Sequence, residues 1–140
     1  MLAVLLLTAL TILACVGIHW EGLVLTCRLV DRIDPPHRVR IAASIIGALI
    51  AHLIEIAVFA VALEFAVAAG VGTLDPPQQG FEDYIYFSAT VYSSLGFGEI
   101  IPHGPLRQLV GVEALTGLVL IAWTASFSYM EMEQFWGEDD

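Results

Sequence analysis

Lysine is absent from this chain of 140 residues, and only five arginines carry positive charge against 15 acids. A net charge of −10 argues against nucleic acid as a partner, because phosphate binding needs basic patches. Charged residues make up 14% of the chain, where a soluble domain carries roughly 25%. What fills the space is apolar: 58% of residues are hydrophobic and the mean hydropathy is +0.80. That excludes an ordinary soluble fold and points to an integral membrane protein too small for a second domain. Cysteine is scarce too. Cys15 and Cys27 lie in one apolar segment, about 18 Å apart if it is helical. That is too far for a disulfide within the chain, so both read as apolar filler. The positively charged start of a cleaved signal is also missing, so residues 1–27 read as a retained helix. No nucleophile triad, Walker loop, dinucleotide fingerprint or zinc motif occurs, so no enzyme is expected and no cofactor is implied.

Three apolar stretches are each long enough to cross a bilayer: residues 1–27, 41–71 and 105–131. The first is interrupted by His19, Trp20 and Glu21. Residues 28–40 hold Arg28, Arg32, Arg38 and Arg40 with Asp34-Pro35-Pro36. Proline pairs stop helices and positive loops stay cytoplasmic. The segmentation places the N-terminus outside, this linker inside and the C-terminus inside, in a multi-pass protein of the bacterial inner membrane. Residues 132–140 form an acidic cytoplasmic tail. Its acids are read either as a solvated end or as rings that concentrate cations, and Trp136 as part of an aromatic belt.

Between the second and third stretches, the chain must leave and re-enter from one side. Residues 72–80 are turn-rich and polar. Residues 82–93 open with Glu82 and Asp83, suit a helix N-terminus and are too short to span. Then comes Ser93-Ser94-Leu95-Gly96-Phe97-Gly98-Glu99. Glycine takes positive φ at little cost, so alternating glycines let a short ribbon turn its carbonyls one way. Irregular backbone at membrane depth is tolerated only in protein or against water, and inward-facing carbonyl rings can replace the water shell of K⁺.

These residues resemble the pore module of the potassium-channel superfamily, over about residues 41–131. They look closest to small bacterial ion-channel proteins with one extra helix before the two-helix pore. The family's filter reads Thr-Val-Gly-Tyr-Gly-Asp, and here the matching residues are Ser94-Leu95-Gly96-Phe97-Gly98-Glu99. The resemblance implies an all-α membrane protein: three transmembrane helices, a re-entrant pore helix and a filter loop, in a homotetrameric pore. It implies K⁺ sites at Ser94, Leu95, Gly96 and Phe97 with Gly98 at the outer mouth (filter 94–98). Glu99, Tyr86, Phe87 and Thr90 would support the filter. Tyr86 and Phe87 stand where tryptophans often sit, and Phe97 lacks the tyrosine hydroxyl. Gly117 falls at a hinge position, with Ile121, Ala125 and Tyr129 following it on a cavity-facing side. The implied function is passive, potassium-selective conduction. A weakly selective cation channel and a non-conducting scaffold or accessory subunit remain as alternatives. No helix carries the arginine series of a voltage sensor.

Several polar residues lie outside that module or are unexplained by it. His52 and Glu55 share a face of the second helix. His19, about 14 Å from Arg28, and His52, about 18 Å from Arg40, fall at similar depth. His19, Glu21, His52 and Glu55 read either as a polar clasp pinning the extra helix or as a proton-sensitive cluster. No tight multi-ligand spacing supports a bound metal there. Glu113 reads as a hydrogen-bond partner behind the pore helix or on a neighbouring helix. Arg107 reads as a snorkelling side chain or a partner of Glu99, and His103 as a solvated loop residue or an external pH sensor.

Overall fold

Leu, Ala and Ile hold long stretches of this chain helical because nothing in them competes with the i to i−4 hydrogen bonds. In the computed structural model, which describes residues 2–33 and 35–136, the first helix, α1, runs Leu2–Ile33 and the second, α2, runs His37–Ala68. The connection between them is therefore shorter than the 28–40 linker expected from composition. Arg28 and Arg32 sit on the last turns of α1, and Arg38 and Arg40 on the first turn of α2. Arginine is a good helix former, and only the proline pair interrupts the helix. Pro36, lacking an N–H, begins α2, and its carbonyl accepts from the N–H groups of Val39 and Arg40 at 2.8 and 3.1 Å.

The end of α2 is set by Gly70. Its φ of +70° lets the chain reverse. The N–H of Gly70 bonds to Val67 at 3.0 Å and that of Val71 to Ala66 at 3.0 Å, the paired closure that satisfies the last carbonyls of a helix. The helix thus ends at Ala68, three residues before the expected 71. The segment that follows is not plain loop. Thr73–Asp75 (β1) pairs antiparallel with Ile101–His103 (β2), Leu74 opposite Pro102. This two-strand ribbon closes the neck of the re-entrant segment, with Leu74 buried beneath it.

Inside the neck lies α3, Phe81–Tyr92. At 1.5 Å per residue it is about 18 Å long, well short of hydrocarbon thickness. Asp83 closes its N-terminus by accepting from the N–H of Gln79 at 2.9 Å and of Gly80 at 3.4 Å. The last helix, α4, runs Leu106–Trp136. The core forms where α2, α3 and α4 meet, around Phe59, Leu63, Tyr92, Leu106, Leu109 and Leu120. α1 lies mainly along α2 and also touches α4.

Within the three long helices only 28–33% of each apolar window is buried. The remaining surface, including Leu10, Leu13, Leu49, Leu53, Leu115 and Leu118, is exposed and suits lipid rather than water. The protein is a multi-pass membrane protein. Arg40 bonds to Asp31 at 2.6 Å and lies 3.8 Å from Glu131. The end of α1, the start of α2 and the end of α4 therefore share one side, opposite the ribbon.

Gly117 allows α4 to press on the end of α3. A Cβ there would come within 2.8 Å of the Tyr92 carbonyl carbon, whereas one on Gly17 of α1 would meet nothing within 4 Å. Gly117→Ala is expected to lower the Tm of the detergent-solubilised protein, at a cost of about 1–3 kcal/mol for overpacking. Gly17→Ala should leave it unchanged or raise it, by up to about 1 kcal/mol of helix propensity. Circular dichroism melts of the two variants check the pair.

Candidate pore segment and its support

The backbone after α3 alternates in hand. Ser94, Gly96 and Gly98 have φ of 58°, 49° and 79°, and Leu95 and Phe97 between them do not share that sign. In a strand, successive carbonyls point to opposite sides. Alternating left-handed and ordinary residues turns them to the same side. For glycine this is cheap; for Ser94 it costs about 1–2 kcal/mol. Such strain persists only where neighbours over-determine it. Here the N–H of Ser94 bonds to Val91 at 2.9 Å and that of Gly96 to Thr90 at 3.0 Å, so the start of the run is tied to the end of α3. A Cβ on Gly96 or Gly98 would meet nothing within 4 Å. These positions require glycine for its φ, not for space. Residues 93–99 are exposed in the single chain, Leu95 at 61% and Phe97 at 64%, so one chain supplies one wall and leaves the other side open.

The far end of the run is tied as well. Tyr86 on α3 donates its hydroxyl to Glu99. This brace was not foreseen, because the two residues are 13 apart and only the fold brings them together. The hydrogen bond, with some loss of water and the carboxylate's charge, holds the Tyr86 phenol above its ordinary value. The donor is therefore intact at neutral pH and is lost only as pH rises above about 10. Phe87 is buried, and Thr90 donates to the Phe87 carbonyl at 2.8 Å. Tyr86, Phe87, Thr90, Val91, Phe97 and Val110 line a cavity of about 160 Å³ behind the run.

Behind α3, Ser88 donates its hydroxyl to Glu113 on α4 and also approaches the Ile56 carbonyl at 2.8 Å. Glu113 is buried, and its second carboxylate oxygen has no hydrogen-bond partner among the described residues. The sequence left open whether Glu113 faced the pore helix or another helix; the geometry places it against α3.

A second polar cluster lies beneath the run. His19 Nδ1 is 2.9 Å from Glu55 Oε1, and His52 Nδ1 is 3.0 Å from Glu55 Oε2. Tyr92, the last residue of α3, donates its hydroxyl to Glu55 Oε2 and lies 3.0 Å from His52 Nδ1. Thr124 Oγ1 on α4 is 2.9 Å from His52 Nε2 and 3.4 Å from His19 Nε2. His19 and Glu55 have no exposed side-chain surface. Glu21, grouped with them on sequence, is exposed and lines a groove between α1 and α2. Two residues on from His19 it is about 200° around the helix. Tyr92 and Thr124 were missed; as neutral side chains in apolar stretches they give no sequence signal.

On α4, Gly117 is buried against Tyr92, while Ile121, Ala125 and Tyr129 are exposed. Positions four apart drift by about 40° per step, which carries the later three off the α3 contact. Trp123 packs on His19, ring centres 5.2 Å apart. Arg107 and His103 are exposed, and Arg107 forms no ion pair with Glu99 among the described residues. Cys15 is buried with its sulfur 3.9 Å from the Glu55 carbonyl oxygen, and Cys27 is half-buried. Both are free. The Trp136 side chain and the acids at 138–140 lie outside the described residues.

A chain with three membrane-length helices, a re-entrant helix and a glycine-alternating run has the build of a channel rather than an enzyme. A sequence model of the ion channel family matches residues 47–134. The chain belongs to that family, and its pore module is that of the potassium-channel superfamily. It is 35% identical over 79 residues to the inward rectifier potassium channel Kirbac3.1 of Paramagnetospirillum magnetotacticum. The match covers 56% of this chain and 26% of that relative, so the chain spans about a quarter of the relative's length. No solved structure matches significantly.

Tyr86→Phe removes the brace on Glu99 without changing shape. Losing this exposed hydrogen bond is expected to speed the decline of current under sustained driving force while leaving the folded protein intact, with little change in Tm. Bilayer recordings and melts of the same preparation check both.

Proposed function

We propose that the chain is a passive, potassium-selective channel, active as a homotetramer. The carbonyls of Ser94, Leu95, Gly96 and Phe97, with the Ser94 hydroxyl, would form stacked K⁺ sites, and Gly98 the outer mouth. The observation that carries this reading is the alternation of left-handed residues at Ser94, Gly96 and Gly98, placed at the end of a helix too short to span. A helix C-terminus is partly negative, so α3 aims a cation-stabilising dipole at the start of the run. Four open, one-walled chains close a ring around one axis. K⁺ then exchanges its water shell for carbonyl oxygens and moves by knock-on between neighbouring sites. The relative's name supports potassium as the ion.

The side carrying Arg28, Arg32, Arg38 and Arg40 would be cytoplasmic by charge. That puts the N-terminus and the ribbon outside a bacterial inner membrane and the end of α4 inside. Ile121, Ala125 and Tyr129, exposed on α4, would line the cavity on the cytoplasmic side of the filter.

In reconstituted bilayers with opposing K⁺ and Na⁺ gradients, the reversal potential should follow K⁺. A value that ignores the K⁺ gradient refutes selectivity. Gly96→Ala should reduce selective flux while the protein still assembles, because the site has room for a methyl but its left-handed φ costs an L-residue about 1–2 kcal/mol. Equal flux in wild type and variant points instead to a scaffold.

A further inference from the structure

We propose that His19, His52, Glu55 and Tyr92 form a binding site for one divalent d-block cation of the Zn²⁺ class, buried between the extra helix and the pore. The donor atoms of His19, His52 and Glu55 all lie within 4.8 Å of one another. Metal–N and metal–O bonds of about 2.0–2.2 Å place tetrahedral ligands roughly 3.3 Å apart. The contacts of 2.9 and 3.0 Å from the two Nδ1 atoms to Glu55 need only small spreading to admit an ion. The Tyr92 oxygen, 3.0 Å from His52 Nδ1, is the fourth donor.

The hydrogen count points the same way. Thr124 Oγ1 faces the Nε2 atoms of both histidines, and its single hydroxyl proton satisfies at most one of them. Its oxygen has two lone pairs and can accept from two Nε2–H groups. In that tautomer both imidazoles turn a bare Nδ1 toward the Glu55 carboxylate, and the two ring lone pairs and the anion form a donor set for a cation. A ligating histidine with its other N–H held by an oxygen is the usual outer-shell arrangement at metal sites. N and O donors of this kind suit Zn²⁺ and its neighbours rather than K⁺.

The Glu55 carboxylate offsets part of the ion's charge, which the apolar surroundings of Phe59 and Trp123 favour over an uncompensated ion. His52, 12% exposed, lies at the edge of the cluster, whereas His19 and Glu55 have no exposed side-chain surface. The sequence concealed the site because its ligands come from α1, α2 and α3.

The test is Zn²⁺ titration of the chelator-treated, detergent-solubilised full-length channel, read by metal analysis and by Tm; neither readout requires conduction. One Zn²⁺ per chain and a higher Tm are expected, both lost in His19→Ala and Glu55→Gln and retained in the exposed control His103→Ala. Thr124→Val, a near-isosteric change outside the ligand set, should still fold and bind about 10–100-fold more weakly. The proposal is overturned if wild type holds no stoichiometric Zn²⁺, as a network held by protons alone would behave. It is equally overturned if the ligand variants and Thr124→Val bind as wild type does.

Discussion

The hydrogen bond from Tyr92 to Glu55 is the contact around which the rest of the chain is arranged. α3 ends inside the apolar layer, where a polar group without a partner costs several kcal/mol. Its last side chain carries a hydroxyl, and the nearest acceptor is a carboxylate with four lone-pair positions to fill. Everything near that carboxylate is then constrained. His19 approaches from α1, His52 from the preceding turn of α2, and Thr124 caps both imidazoles from α4. The Tyr92 ring is fixed between His52 and Phe59. Because Gly117 has no side chain, α4 can lie against the Tyr92 backbone. One intramembrane acid thus draws four helices to a common point two residues before Ser94.

That point is one of two anchors for a strained ribbon. Ser94 sits in a left-handed conformation that its side chain disfavours, so the run relaxes unless both ends are held. Hydrogen bonds to Thr90 and Val91 hold the near end and the Tyr86–Glu99 brace holds the far end. Between them the run makes few contacts within its own chain. The near anchor is buried and polar, the far one exposed, so the far one is the weaker and the one that water and salt reach.

Much of this was legible in the sequence. Three long apolar stretches, the short helix opened by acids and the glycine alternation follow from composition and periodicity, because each is local. Boundaries were less legible. Arginine-rich residues 28–33 and 38–40 read as a linker by charge, yet arginine continues a helix well, and only Pro35-Pro36 breaks it. The β1–β2 ribbon joins residues nearly 30 apart, each strand too short to show a pattern. In the site, His19, His52 and Glu55 announced themselves as costly residues in apolar helices. Their real partners, Tyr92 and Thr124, did not, and the helical turn that carries Glu21 away from His19 shows how two residues of spacing decide membership. Ser88 with Glu113, and Tyr86 with Glu99, needed the third dimension.

The family match begins at residue 47 and so omits α1, yet α1 is not an accessory to the pore in this chain. Glu55 lies within the matched region, and His19 on α1 is one of its partners. Removing the His19 ring leaves a buried carboxylate oxygen without its hydrogen-bond partner, at a cost of about 1–3 kcal/mol. His52 and Tyr92 both approach Oε2, so Oε1 depends on His19 among the described residues. In this chain the partner of that oxygen therefore comes from outside the matched region. The extra helix supplies that neighbour, which ties α1 through Glu55 to Tyr92, the last residue of α3.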